Sequence, residues 1–512
     1  MAVEFGARTV RVTPGRHRAA DRLPPFAWGE VATITAVAGV LLFARLDRYD
    51  YGGDELYFLG AGRHPAVSYA DQGPGVPLLA ALAEHLAPND TVALRLPALL
   101  MTLIAVVLSA LIARELRGGR GAQTLAALAY AVTPAAVLQA AMLSTYCFAA
   151  TLAALISWLF IRWVRTHSDH LLVLAGIVAA LDFQVEWPAL LVWAAFALGF
   201  ALLGPRQIFT RPAWWIGTGL LAVSVVPAAL WQHANDWPQL AMGALIRDQR
   251  DLASMPWEIV LLTGPMGVLL LAGMWAGFRS PRLLPYRFLI PVVVIGVAGV
   301  LGGCLRPAHT VSAFPGLFAA GAVYLAHVRL PRRLRTAGVA LTAVATAICV
   351  GAVLGLPRPQ SELRQPTDRY ARFDWRSRVF GPGGWDDLLT GVDAAYRRVP
   401  MDQLPGLVLV TQNYWQAAAL DHYGPPVGFP AVYSPHRGYA YFEPPPDAGT
   451  TVLYIGTERP QVALGIDFAE TVELARIDKW FGYPGVNQHV AVWKCRYPST
   501  PWSAAWPGLR RL

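Results

Sequence analysis

Charged residues are scarce: they make up 15% of the 512 residues, against 55% hydrophobic, and the mean hydropathy is +0.40. A water-soluble chain of this size rarely shows that balance, so a soluble globular enzyme is excluded and a polytopic α-helical membrane protein is read instead. Lysine is confined to Lys479 and Lys494, and the basic charge is almost all arginine, a preference that carries no functional message. Cysteine is also sparse. Cys147, Cys304 and Cys349 lie in or beside apolar runs and Cys495 stands alone near the C-terminus, so no CxxC, disulfide framework or zinc spacing is present. The net charge is +9, but the arginines fall in short clusters between apolar runs. That pattern lacks the continuous basic face of a nucleic-acid binder and fits membrane topology better.

What the chain has in quantity is long apolar segments. A spanning helix takes roughly 20 mostly apolar residues, and about eleven segments meet that criterion between residues 28 and 356. Three of them are expected over Ala122 to Ala141, Thr145 to Val164 and Trp187 to Leu203. The basic stretch 1–27 is read as a cytoplasmic tail, and no small-residue cleavage site follows the first apolar run, so that run is read as a retained helix. With the N-terminus inside, the alternate loops that carry arginine clusters, such as Arg114, Arg117 and Arg120, or Arg329, Arg332, Arg333 and Arg335, fall on the cytoplasmic side. An odd number of spans then places the loop 45–95 and the tail 357–512 outside.

That tail changes in composition. Apolar stretches such as Leu407-Val408-Leu409-Val410 and Val452-Leu453-Tyr454-Ile455 alternate with Pro- and Gly-rich turns, which predicts a C-terminal extracytoplasmic α/β domain. Its aromatic cluster, Tyr433, Tyr439, Tyr441 and Phe442 beside His436 and Arg437, reads equally as a sugar-stacking platform or as packed core.

The polar stretch Tyr49 to Pro77, YDYGGDELYFLGAGRHPAVSYADQGPGVP, stands out against this apolar background. Asp54 and Glu55 sit where the first helix leaves the bilayer, and a partly dehydrated carboxylate there can act as a general base or hold a metal. Asp182 and Glu186, at the edge of an apolar run, are costly to place in a membrane and are expected to serve a site.

The order of GGDELYFLGAG, SYADQGPGVPLLAAL, LRLPALL and ARELRGGRGAQTLAALAYAVTPAAV resembles the GT-C glycosyltransferases of the dolichyl-phosphate-mannose–protein mannosyltransferase-like superfamily. The similarity is to the bacterial branch of lipopolysaccharide galacturonosyl- and aminoarabinosyl-transferases, and it extends to Asn413-Tyr414-Trp415-Gln416 in the tail. It implies a GT-C transmembrane domain over 28–356 with its catalytic loop at 45–95. It also implies a cytoplasmic-membrane enzyme moving a sugar, with inversion, from a polyprenyl-phosphate donor to a cell-envelope acceptor on the outer face. Asp54 matches the catalytic aspartate, Glu55 orients it or contacts the sugar, Tyr57 donates to the same site, and Asp71 matches the second acid of the loop. Arg247 and Arg250, at helical spacing, bind the phosphate or else snorkel or pair with neighbouring acids. Arg306 and His309 are further substrate-binding candidates. Gln72 stands where relatives carry Lys or His, Leu143 to Cys147 replaces an acid-bearing stretch, and Glu186 replaces a lysine, all of which alters the expected pocket. No metal is assigned, although the adjacent acids leave a divalent cation open. Two other readings remain: a transporter or flippase of a lipid-linked molecule, and an inactive envelope-assembly scaffold. Against the first stands the lack of an internal repeat.

Overall fold

The computed structural model describes residues 22–249, 254–364 and 370–512. The N-terminal part is a stack of helices: α1 (Trp28–Phe43), α2 (Gly53–Arg63), α3 (Gly75–Leu86), α4 (Thr91–Glu115), α5 (Arg120–Ala131), α6 (Pro134–Gln139), α7 (Thr145–Thr166) and α8 (His170–Phe183). It continues with α9 (Ala189–Leu202), α10 (Pro212–Ala234), α11 (Pro238–Gln249), α12 (Met255–Thr263), α13 (Gly267–Arg279), α14 (Ile290–Leu301), α15 (Phe314–His327) and α16 (Arg332–Gly355). Among the described residues seven helical stretches are long and apolar enough to cross a membrane, and α1, α3, α8 and α9 are shorter apolar helices.

One expected span is interrupted. The run from Ala122 to Ala141 splits into α5 and α6 because the Thr133 hydroxyl accepts from Ala136 N at 3.3 Å and Pro134 occupies the first turn. A proline costs nothing there, since its missing N–H would be unpaired anyway, but it stops the preceding helix from running on. The break brings Gln139 to Leu143 back toward the start of α2.

The C-terminal residues form α17 (Tyr370–Phe380), α18 (Trp385–Tyr396), α19 (Tyr414–Tyr423), α20 (Pro460–Leu464) and α21 (Trp502–Leu509) around a five-stranded sheet. Its strands are β1 (Val408–Thr411), β2 (Val432–Tyr433), β3 (Thr451–Gly456), β4 (Phe468–Ile477) and β5 (Val490–Pro498), in the order β2-β1-β3-β5-β4. β1 runs parallel to β2 and β3, whereas β5 is antiparallel to β3 and β4. β1 and β3 are buried along their whole length, which is why they read as unbroken apolar runs and not as alternating strands.

This unit does not stand apart from the helices. Leu56, Tyr57 and Leu59 of α2 share one apolar core with Leu388, Val392, Leu409, Ala418 and Leu453. Trp385 Nε1 donates to Tyr51 O at 2.9 Å, and Arg63 pairs with Asp421 at 2.6 Å. The 45–95 segment is thus packed between the helical stack and the sheet.

Candidate active site

The two adjacent acids of α2 point to different surroundings. Glu55 is fully buried and each carboxylate oxygen accepts twice: Oε1 from Arg95 Nε and Leu143 N, both at 2.8 Å, and Oε2 from Arg95 at 2.7 Å and Gly52 N at 2.9 Å. Arg95 also donates to the carbonyls of Leu46, Tyr49 and Asp50. With both oxygens saturated, Glu55 is a strut joining α2, α4 and the loop after α6, and the sugar contact that the resemblance offered for this catalytic-site acid is corrected: neither oxygen is left for it.

Asp54 instead opens onto a cavity of about 690 Å³ between the helices and the C-terminal unit. Its Oδ1 accepts from the Tyr414 hydroxyl at 2.7 Å and from Trp415 Nε1 at 2.9 Å. Oδ2 accepts no hydrogen bond among the described residues and is available to a ligand. The two donors are placed by the start of α19, where Asn413 accepts from Trp415 N at 2.8 Å and Gln416 accepts from Asn413 N at 3.0 Å. This reciprocal cap holds the first turn, and with it Tyr414 and Trp415. Gly53 is required opposite: a Cβ there would stand 2.3 Å from the Trp415 indole.

Asp71 lies in the same cavity. Its Oδ1 accepts from the Tyr57 hydroxyl at 2.9 Å, and the Arg437 guanidinium stands 4.0 Å from Oδ2. Burial raises the Asp71 carboxyl above its usual range, with Arg437 acting the other way. Arg437 also lies over the Tyr414 ring at 4.9 Å, and burial holds the Tyr414 and Tyr57 phenols protonated, so both remain donors. His436, beside Tyr414, is pushed down to about 3 by burial and by Arg437 and Arg511, and is neutral at physiological pH.

Gln72, Arg306 and His309 complete the lining. Gln72 is buried and its Nε2 has no hydrogen-bond partner among the described residues. His309 Nδ1 meets the Arg306 backbone, and its Nε2 stands 3.2 Å from Glu186 Oε2. The substrate-binding candidates are therefore gathered, with two exceptions. Arg247 is exposed on α11, its guanidinium 4.0 Å from Cys304 Sγ, and it does not line the cavity, although Gln239 and Met242 of the same helix do. Arg250 lies outside the described residues. A divalent cation finds no donor set here: among the described residues no three His, Cys, Asp or Glu side chains are grouped for one. Sequence reasoning passed over Arg95, and it gave Tyr414 and Trp415 no role at the site. It left Arg437 undecided between platform and core.

This helical stack, with an acid-bearing first loop roofed by a C-terminal α/β unit, is that of a multi-pass membrane protein, and its fold is similar to that of GT-C glycosyltransferases. Residues 71–231 match the family profile described as "Dolichyl-phosphate-mannose-protein mannosyltransferase". The fold is similar to that of ArnT from Cupriavidus metallidurans in the apo state, with a TM-score of 0.59 and 14% identity over 91% of this chain and 98% of that one. The same protein bound to undecaprenyl phosphate aligns with a TM-score of 0.56 and 15% identity over 91% and 98% of the two chains. Arabinofuranosyltransferase AftD from Mycobacteria aligns with a TM-score of 0.50 and 16% identity over 94% of this chain and 41% of its own. No curated protein sequence matches the chain.

Proposed function

We propose that the protein transfers a sugar from a polyprenyl-phosphate donor to a cell-envelope acceptor at the outer face of the cytoplasmic membrane. In this reading the N-terminus is cytoplasmic, the chain crosses the membrane about eleven times, and residues 357–512 are extracytoplasmic. The observation that carries it is Asp54, with one oxygen fixed by Tyr414 and Trp415 and the other open to the cavity. That is the geometry of an oriented general base. An acceptor hydroxyl oxygen attacks the anomeric carbon and its proton passes to Asp54 Oδ2. The bond from that carbon to the phosphate oxygen breaks, and polyprenyl phosphate departs with the electron pair, so the configuration inverts. Arg306, Arg437 and the Gln72 amide line the same cavity and can receive the phosphate charge. Undecaprenyl phosphate, bound by the structurally similar ArnT, supports a carrier of this class. Asp71, held by Tyr57 and Arg437, keeps this cationic side in place.

The test is release of polyprenyl phosphate from a panel of polyprenyl-phosphate monosaccharides by the protein in lipid, compared with Asp54→Asn. Release that the substitution abolishes is expected. Binding or translocation of the lipid without release from any donor would favour a carrier or scaffold and overturn the reading.

A further inference from the structure

A second cavity, of about 430 Å³, lies beside the catalytic one and takes no part in the proposed reaction. It is walled by the turn after α1 and by the Gly381-Pro382-Gly383-Gly384 loop between α17 and α18. Tyr49, Pro382 and Gly383 line both cavities, so the two have one layer of residues in common. Glycine keeps that layer thin: a Cβ on Gly381, whose φ is +80°, would stand 3.2 Å from the Tyr49 ring.

The second cavity is polar and rich in acceptors. Asp387 is paired with Lys479 at 3.0 Å and accepts from Asn487 Nδ2 at 3.0 Å, but Asp386 is exposed and accepts no hydrogen bond among the described residues. Burial raises the Asp50 carboxyl above its usual range and the nearby Asp386 adds to the rise. The Arg48 guanidinium, the cation of this lining, is turned away to the carbonyls of Val353 and Leu354. Trp480, the neighbour of Lys479, is 80% exposed and adds an aromatic face of the kind on which a sugar ring stacks.

Past the shared layer, the wall of the catalytic cavity holds polar groups that the fold does not satisfy. Arg45 donates to the Tyr49 hydroxyl and to Val137 O, which leaves its buried Nε without a partner. Gln139, 7% exposed, has neither amide atom paired among the described residues. A buried amide in that state is costly unless a ligand completes it. A sugar hydroxyl can do so because it both donates and accepts, whereas an anion only accepts and would leave Gln139 Oε1 unpaired. This wall is also apart from the phosphate cations: Asp71 and Arg437 meet α2 at Tyr57, whereas Met142 and Leu143 meet it at Gly52 and Glu55.

We infer that the second cavity seats the acceptor, a saccharide presenting hydroxyl or ammonium donors, whose reacting end extends past Tyr49 to Gln139 and Asp54. This inference rests on the glycosyl-transfer reading and names its acceptor class. Arg45 is the competing influence, since its charge would draw an acidic acceptor. Such an acceptor must first lie against Asp50 and Asp386, and like charges at close range reject it there.

The probe is a neutral alkyl trisaccharide carrying a photoreactive diazirine, applied to the full-length protein in lipid nanodiscs, with labelled peptides read by mass spectrometry. Labelling is expected within 48–50, 380–387 and 479–487, and the untagged glycoside should compete at least about tenfold better than its phosphorylated analogue. Asp386→Lys is expected to weaken the neutral glycoside about tenfold and to bring the phosphorylated one within about threefold of it. Gln139→Leu carries the test if Asp386→Lys does not fold. Deleting an unpaired buried amide should leave the melting temperature unchanged or higher, while the glycoside binds at least about threefold more weakly. A lower melting temperature with unchanged binding would make Gln139 structural and overturn the inference. So would labelling confined to other segments, or equal competition by the phosphorylated glycoside. Asp54→Asn should keep the labelling, so failure of the transfer reading shows separately, as a glycoside bound here without Asp54-dependent release of polyprenyl phosphate from any donor.

Discussion

At the scale of single residues, two neighbouring carboxylates have been given opposite fates by their partners. Glu55 and Arg95 form a buried, two-pronged pair with side chains 1% and 0% exposed. Breaking such a pair leaves an uncompensated charge and costs about 3–5 kcal/mol. Glu55→Ala is therefore expected to lower the melting temperature sharply and cut the folded yield. Asp54→Asn should leave the melting temperature near wild type, a contrast that thermal unfolding in lipid or detergent would measure. His436 gives a pH prediction. Its folded form resists protonation down to about 3, whereas the unfolded chain takes up a proton near 6.5. Between those values the unfolded state binds more protons, so this residue's contribution to stability is intact above 6.5 and lost progressively as the pH falls toward 3. Replacing His436 by Gln should flatten the acid side of the melting profile. An unchanged slope would show that His436 is not buried neutral. Asp54 and Glu55 were visible in the sequence because adjacent acids are rare beside apolar runs. Their division of labour was not, because the deciding partner, Arg95, is 40 residues away.

At the scale of elements, the site depends on how closely α2 and α19 approach. Gly53 permits the Trp415 ring to lie against the backbone, and a methyl group there would overlap it. Gly53→Ala is expected to destabilise by about 1–3 kcal/mol through overpacking. It should also slow transfer, because the indole that aligns Asp54 must shift. Trp415→Phe isolates the second effect by keeping the ring and deleting the Nε1 donor. A drop of about tenfold in the turnover number with little change in KM is expected, matching one charge-assisted hydrogen bond. If turnover were unchanged, Trp415 would be packing alone. Long apolar runs made most helices legible, including α7 and α9, since a helix that faces either its neighbours or lipid has little need of polar residues. The break between α5 and α6 was less legible than it should have been, although Thr133-Pro134 is a cap followed by a first-turn proline. Arg437 was not legible as a site residue, because a loop arginine among aromatics looks the same whether it is packed or poised.

At the scale of the whole molecule, the helical part and the C-terminal unit share one core and one cavity. A chain ending at Gly355 would expose Leu56, Tyr57 and Leu59 and lose both donors to Asp54. It is expected to show background transfer only, together with new protease cleavage in 45–95. Full activity from that truncation would mean that the roof is dispensable. The partners of Asp54 lie 360 and 361 residues beyond it in sequence. The α/β character of this roof was legible from its buried strands, but its contribution to the site was not, since no local pattern reports a contact over that distance. The separation also orders events in time. A ribosome finishes the helices and the acidic loop long before it reaches Tyr414, so a half-made chain carries the aspartate without the groups that aim it. On the proposed reading, competence for chemistry arrives only with the end of synthesis, and an interrupted chain cannot spend an activated lipid on water.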